Sequence, residues 1–163
     1  MAELTNLETK LGEVIGLAMA AQAATERVEK LTTDAKLRKQ LKTMRQEAAK
    51  AEKDGTAVAA SFNGKKSKIL GEARTVKTKG ATMMKTYLER GSDDLDGFEF
   101  LTMAEAGEVG HWEILGTLNE RAGNTEVSEL VGWALPIQQQ HFETVRSTSL
   151  KLAGEENPNE SAE

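Results

Sequence analysis

Residues 104–152, AEAGEVGHWEILGTLNERAGNTEVSELVGWALPIQQQHFETVRSTSLKL, decide the fold. Trp112, Leu115 and Leu118, then Val127, Leu130, Ala134 and Ile137, recur at three- and four-residue spacing, the stripe of two amphipathic helices. Gly123-Asn124-Thr125 between them stops one helix and caps the next. Two polar pairs ride on these stripes, Glu108-x-x-His111 and Gln138-x-x-His141, and they hold both histidines of the chain. Residues i and i+3 share a helix face, so each pair can aim two polar heads at one place. Glu-x-x-His on paired helices is how a four-helix bundle builds a carboxylate-bridged two-metal centre. The second pair carries Gln where that chemistry uses Glu.

Working outward, residues 4–32 read as a helix with an apolar stripe through Leu7, Leu11, Val14, Ala18 and Val28. Gly12, Gly16 and many alanines thin its waist, which lets a neighbouring backbone come close. Thr33 or Asp34 caps a second helix that runs to Phe62, where Asn63-Gly64 signals a turn. The lysine-rich segment 65–90 reads as a helix broken or weakened near Gly71 and Gly80. Gly91-Ser92 is a stop followed by a cap, and Asp93, Asp94 and Asp96 suit the positive end of a helix over 93–122. The last helix covers roughly 126–153, with a kink expected at Pro136 because proline lacks the backbone donor. No strand-like alternation is present. The fold class is therefore all-α, an antiparallel four-helix bundle with one extra connecting helix, the 65–90 segment joining two helical hairpins. Residues 1–153 form the bundle. The tail 154–163, GEENPNESAE, is expected to be disordered and acidic.

A chain of 163 residues fits one domain with a sizeable core. The absence of cysteine excludes disulfides and thiolate metal sites and suits a reducing cytosol, so the expected location is cytoplasmic. The acidic start MAELTNLETKLGEV does not read as a secretory signal, and no stretch nears the eighteen apolar residues of a membrane span. Net charge is −5 but uneven: residues 36–90 hold fifteen Lys/Arg against five Asp/Glu. Such a segment can bind an anion, pair with a second copy of the chain, or be a solvated helix face. The acidic flanks and the lack of aromatic platforms for bases argue against nucleic acid as a partner.

The stretch 104–152 resembles the YciE/YciF-type ferritin-like family of bacterial stress-associated proteins. The likeness is clearest at His111-Trp112-Glu113-Ile114, similar to that family's His-aromatic-Glu-Ile signature, and at Thr32-Thr33-Asp34-Ala35-Lys36-Leu37. The resemblance implies a ferritin-like bundle, a homodimer or higher homo-oligomer, and a metal centre of iron or manganese. It places Gln22 where the family has Glu, and Glu47 on the family's second-helix carboxylate with Met44 replacing a histidine. Ile137-Gln138-Gln139 stands where the family has acidic residues, and His141 has no counterpart.

The candidate metal ligands are Glu108, His111, His141, Glu47 and Glu105. A two-metal centre uses about four carboxylates to neutralise two divalent ions, and neutral Gln138 and Gln22 cannot supply that charge. Three readings stand open from the residues: a full two-metal oxidase, a single-metal or altered site, and a metal-free polar core in an interaction or assembly module. The scattered methionines read as core filler.

Overall fold

The computed structural model describes residues 3–162. Five helices follow one another, α1 Asn6–Leu31, α2 Ala35–Ser61, α3 Lys66–Tyr87, α4 Asp94–Ala122 and α5 Thr125–Glu155, with no strand among the described residues. Their ends are set by local chemistry. Thr5 opens α1 with a reciprocal cap: its hydroxyl oxygen accepts from the Glu8 amide at 3.2 Å, and the Glu8 carboxylate accepts from the Thr5 amide at 2.8 Å. Asp93 and Asp96 repeat this cap at α4. Asp34 and Asn124 cap α2 and α5 through their side-chain oxygens. Gly123 ends α4 at φ +64°, a conformation that glycine adopts without strain.

The short connections turn each helix back along its predecessor. Contacts across the molecule fix the directions. In α1 and α2, Glu29 gathers Arg45 at 2.8 Å, Lys42 at 3.6 Å and Arg38 at 3.8 Å, while Gln22, about two turns earlier in α1, meets Glu52. In α4 and α5, Thr102 bonds Ser149 at 2.9 Å and the buried Asn119 donates to the Asn124 carbonyl and the Ser128 hydroxyl, each at 2.9 Å. Helix α1 packs on α2, α3 and α4, and α5 packs on α4 and α2. Helices α1 and α3 run parallel, since α3 carries the chain back before α4 descends beside α1.

The seam between α1 and α3 is made of small residues. A Cβ at Gly16 would lie 2.4 Å from the Ala73 carbonyl oxygen, and one at Gly12 2.7 Å from the Ile69 carbonyl oxygen. The thin waist expected from the sequence is thus used for backbone-to-backbone contact. Two other expectations need correction. Helix α3 is unbroken through Gly71 and Gly80. Gly80 is a packing residue, not a break, because a Cβ there would meet the Ala20 Cβ at 2.7 Å; close approach to α1 compensates its poor helix propensity. Helix α5 also continues two residues beyond the expected end, to Glu155. It passes uninterrupted through Pro136, where both Pro136 and Gly132 are exposed, so water can reach the carbonyl that proline leaves without a donor.

The core has two parts. Leu11, Ile15, Ile69, Trp112, Leu115 and Val127 fill one end, and Val28, Leu41, Phe98, Leu101 and Val145 the other. Between them lies a polar waist. Among the described residues no helix is long and apolar enough to cross a membrane.

Candidate functional site

The waist draws on α2, α4 and α5, with α1 supplying small residues. Glu105 and Glu108 sit one turn apart on the inward face of α4 and are 1% and 4% exposed. Gln138 and His141 face them from α5, both buried. The Gln138 amide donates to Glu105 Oε2. The His141 ring bridges two helices, with Nε2 3.3 Å from Glu47 Oε1 on α2 and Nδ1 3.9 Å from Glu105 Oε2 on α4. Glu108 has neither hydrogen bond nor ion pair among the described residues.

Burial controls the titration of this cluster. Removal from water pushes the Glu105 carboxyl up to about 7, opposed by the Gln138 amide that donates to it. Glu108 is raised well above the usual carboxylate range, first by burial and then by the neighbouring Glu105 charge. His141 is lowered by burial, against the pull of Glu47. The waist therefore favours neutral forms: protonated carboxyls and a neutral imidazole, unless a cation arrives.

Of the candidate ligands, Glu47, Glu105, Glu108 and His141 converge here, and His111 does not join them. Its Nδ1 lies 3.2 Å from Lys10 Nζ and 3.3 Å from Glu13 Oε2, and its side chain is 39% exposed. Three helical residues turn about 300°, leaving His111 about 60° round the axis from Glu108, over α1 instead of the bundle centre. Gln22 also lies apart, donating to Glu52 and to the Ala18 carbonyl. Sequence reasoning missed Lys10 and Glu13 as partners of His111; their i, i+3 spacing was visible, but not the helix they would face.

Three cavities border the waist, one of them an open one of about 430 Å³ between α2 and α5 that reaches Glu47 and His141. A very small one of about 10 Å³ is lined by Glu47, Glu108, Gln138 and His141, with Ala18, Ala48 and Trp112 around them. That is close to the space of one water-sized sphere. A third, of about 210 Å³, opens between α1, α3 and α4 and also reaches Glu105 and Glu108. Among the described residues, no group of three or more His, Asp or Glu side chains is placed where together it could hold a metal ion. No family model matches the chain, and searches of curated proteins and of solved structures gave no significant match.

Proposed function

We propose that this chain is a ferritin-like bundle protein with an altered site that holds a single metal ion at its waist. One observation carries the reading: Glu108, 4% exposed and without a partner among the described residues, lines two cavities beside a second buried carboxyl, an arrangement that a proton or a cation would stabilise. The donor set fits an ion such as iron or manganese. One imidazole, His141, and three carboxyls, Glu47, Glu105 and Glu108, suit a borderline-to-hard divalent ion. Three carboxylates neutralise one such ion and fall short for two, and the adjoining space of about 10 Å³ is of single-ion size. Glu105, Glu108 and His141 would hold the ion, Glu47 would close the site from α2, and Gln138 would orient Glu105 by its amide. When bound, the ion would supply Lewis acidity or one-electron chemistry; the protein's part is to exclude water and fix the carboxylates. The order up, down, down, up of α1, α2, α4 and α5, with α3 as the crossover, supports the ferritin-like assignment. The stress-associated role and the homodimer rest on the sequence resemblance.

A chelated sample reloaded with manganese or with ferrous iron under anaerobic conditions should retain about one ion per chain by elemental analysis. At an ion concentration a hundredfold above Kd, the thermal midpoint should rise by roughly 5–10 °C for a domain of this size. Glu108→Gln should remove most of that rise, whereas His111→Ala should leave it. No stoichiometric metal and no shift would end the reading.

The alternative is a metal-free polar core in an interaction module. It is favoured by the contacts the waist already makes, His141 with Glu47 and the Gln138 amide with Glu105. Exposed Lys66, Arg74, Lys77, Lys79 and Lys85 on α3 would then serve an acidic partner or a second protomer. Salt-sensitive self-association together with indifference to chelators would select this reading.

A further inference from the structure

The cavity of about 210 Å³ is walled by Leu17, Ala21 and Ala24 of α1, Met83 of α3, and Phe100 and Met103 of α4, so its sides are apolar. Its polar boundary is formed by Glu105 and Glu108, with His111 also on the lining. Gly107 lies on the exposed rim of the lining, and an added Cβ there would meet nothing within 4 Å. Met83 and Met103 are exposed at 45% and 39%, so this side of the molecule offers apolar surface to water. A wholly apolar cavity of about 150 Å³ takes benzene. The cavity here, at about 210 Å³, has room for a compact organic molecule of similar or slightly larger size, and it adds two carboxyls, one of them without a partner among the described residues.

We propose that this cavity is a binding site for a small organic cation, a primary ammonium on a compact apolar body, with Glu108 and Glu105 taking the head group. An ammonium brings three donors and a positive charge to Glu108, which has neither hydrogen bond nor ion pair among the described residues. A carboxylate ligand would add a third acid to the same spot, and a neutral hydrocarbon would leave Glu108 without a partner. The flexible thioethers of Met83 and Met103 adapt to the shape of the apolar body. The inference rests on the buried carboxyls and the space beside them, not on the metal reading above; a metal ion and an ammonium would compete for Glu108.

Benzylamine, toluene and phenylacetate serve as probes, titrated into full-length protein in chelator and followed by calorimetry or NMR. Benzylamine should bind saturably, at least tenfold more tightly than toluene, with phenylacetate weaker than both. Glu108→Gln should bring benzylamine down to the level of toluene. Gly107→Leu should abolish binding of both while leaving the thermal midpoint undiminished, since the new side chain enters open space. Benzylamine no tighter than toluene, binding that survives Gly107→Leu, or no saturable binding at all would each overturn the proposal. Because chelator is present throughout, a negative metal-loading result leaves this test unaffected.

Discussion

Gly16→Ala will lower the stability of the protein by roughly 2–3 kcal/mol, although alanine is the better helix former by about 1 kcal/mol. The added Cβ would stand 2.4 Å from the Ala73 carbonyl oxygen and 2.7 Å from the Val76 Cβ. The nearest obstacle is backbone, which cannot swing aside as a side-chain end can. Helix α3 must therefore move away from α1 along its length, loosening the contacts at Gly12 and Gly80 as well. Gly107→Ala is the matched control, because nothing lies within 4 Å of its added methyl, and it should gain up to about 1 kcal/mol. Thermal unfolding of the two variants should place their midpoints on opposite sides of the parent, Gly16→Ala lower by roughly 5–10 °C. Equal midpoints would mean that the α1–α3 seam is not a tight contact in solution.

The second large effect is a stability that falls as pH rises. In metal-free protein the folded Glu105 keeps its proton up to about 7, while an unfolded chain gives it up near 4.5. Between those values the folded state binds more protons, so the free energy of unfolding decreases with pH. A difference of this size corresponds to about 3 kcal/mol, complete above pH 7 and absent below 4.5. Glu108, raised in the same direction by burial and by Glu105, deepens the fall. His141 works the other way: its folded imidazole resists a proton that the unfolded chain takes below 6.5, so its share is lost as pH drops through that region. Glu105→Gln isolates the carboxyl. An amide at position 105 can still accept from Gln138, so the variant should match the parent at pH 4.5 and exceed it by about 3 kcal/mol at pH 7.5. Urea unfolding at the two pH values in chelator would measure this; parallel losses in both proteins would show that Glu105 titrates normally.

Much of the architecture was legible because turns and caps are short-range chemistry. Asn63-Gly64, Gly91-Ser92 and Gly123-Asn124 mark the breaks between helices, and Gly12 and Gly16 announced a close neighbour without naming it. Gly80 was misread for a physical reason: a glycine that weakens a lone helix is indistinguishable in sequence from one that admits Ala20 of another helix. The waist was half legible. Periodicity put Glu105, Glu108, Gln138 and His141 on inward faces, and the structure brings them together. His111 failed the same logic, since i, i+3 spacing leaves about 60° of rotation undecided and that angle separates α1 from the bundle centre. Which neighbour occupies that angle depends on tertiary packing. That a cavity opens beside Glu108 could not be read either, as an empty volume is a property of three helices at once.

Helix α3 has only two fully covered side chains, Ile69 and Ala73, and is fastened chiefly along its glycine seam. It is also one wall of the space that reaches the paired acids. A wall that depends on one seam and covers so few side chains has the low burial of segments that open before the rest of a native fold. The lifetime of anything lodged behind it is then governed by how often that one helix breathes, and tightening or loosening the seam would retune residence time without touching a single group that contacts the guest.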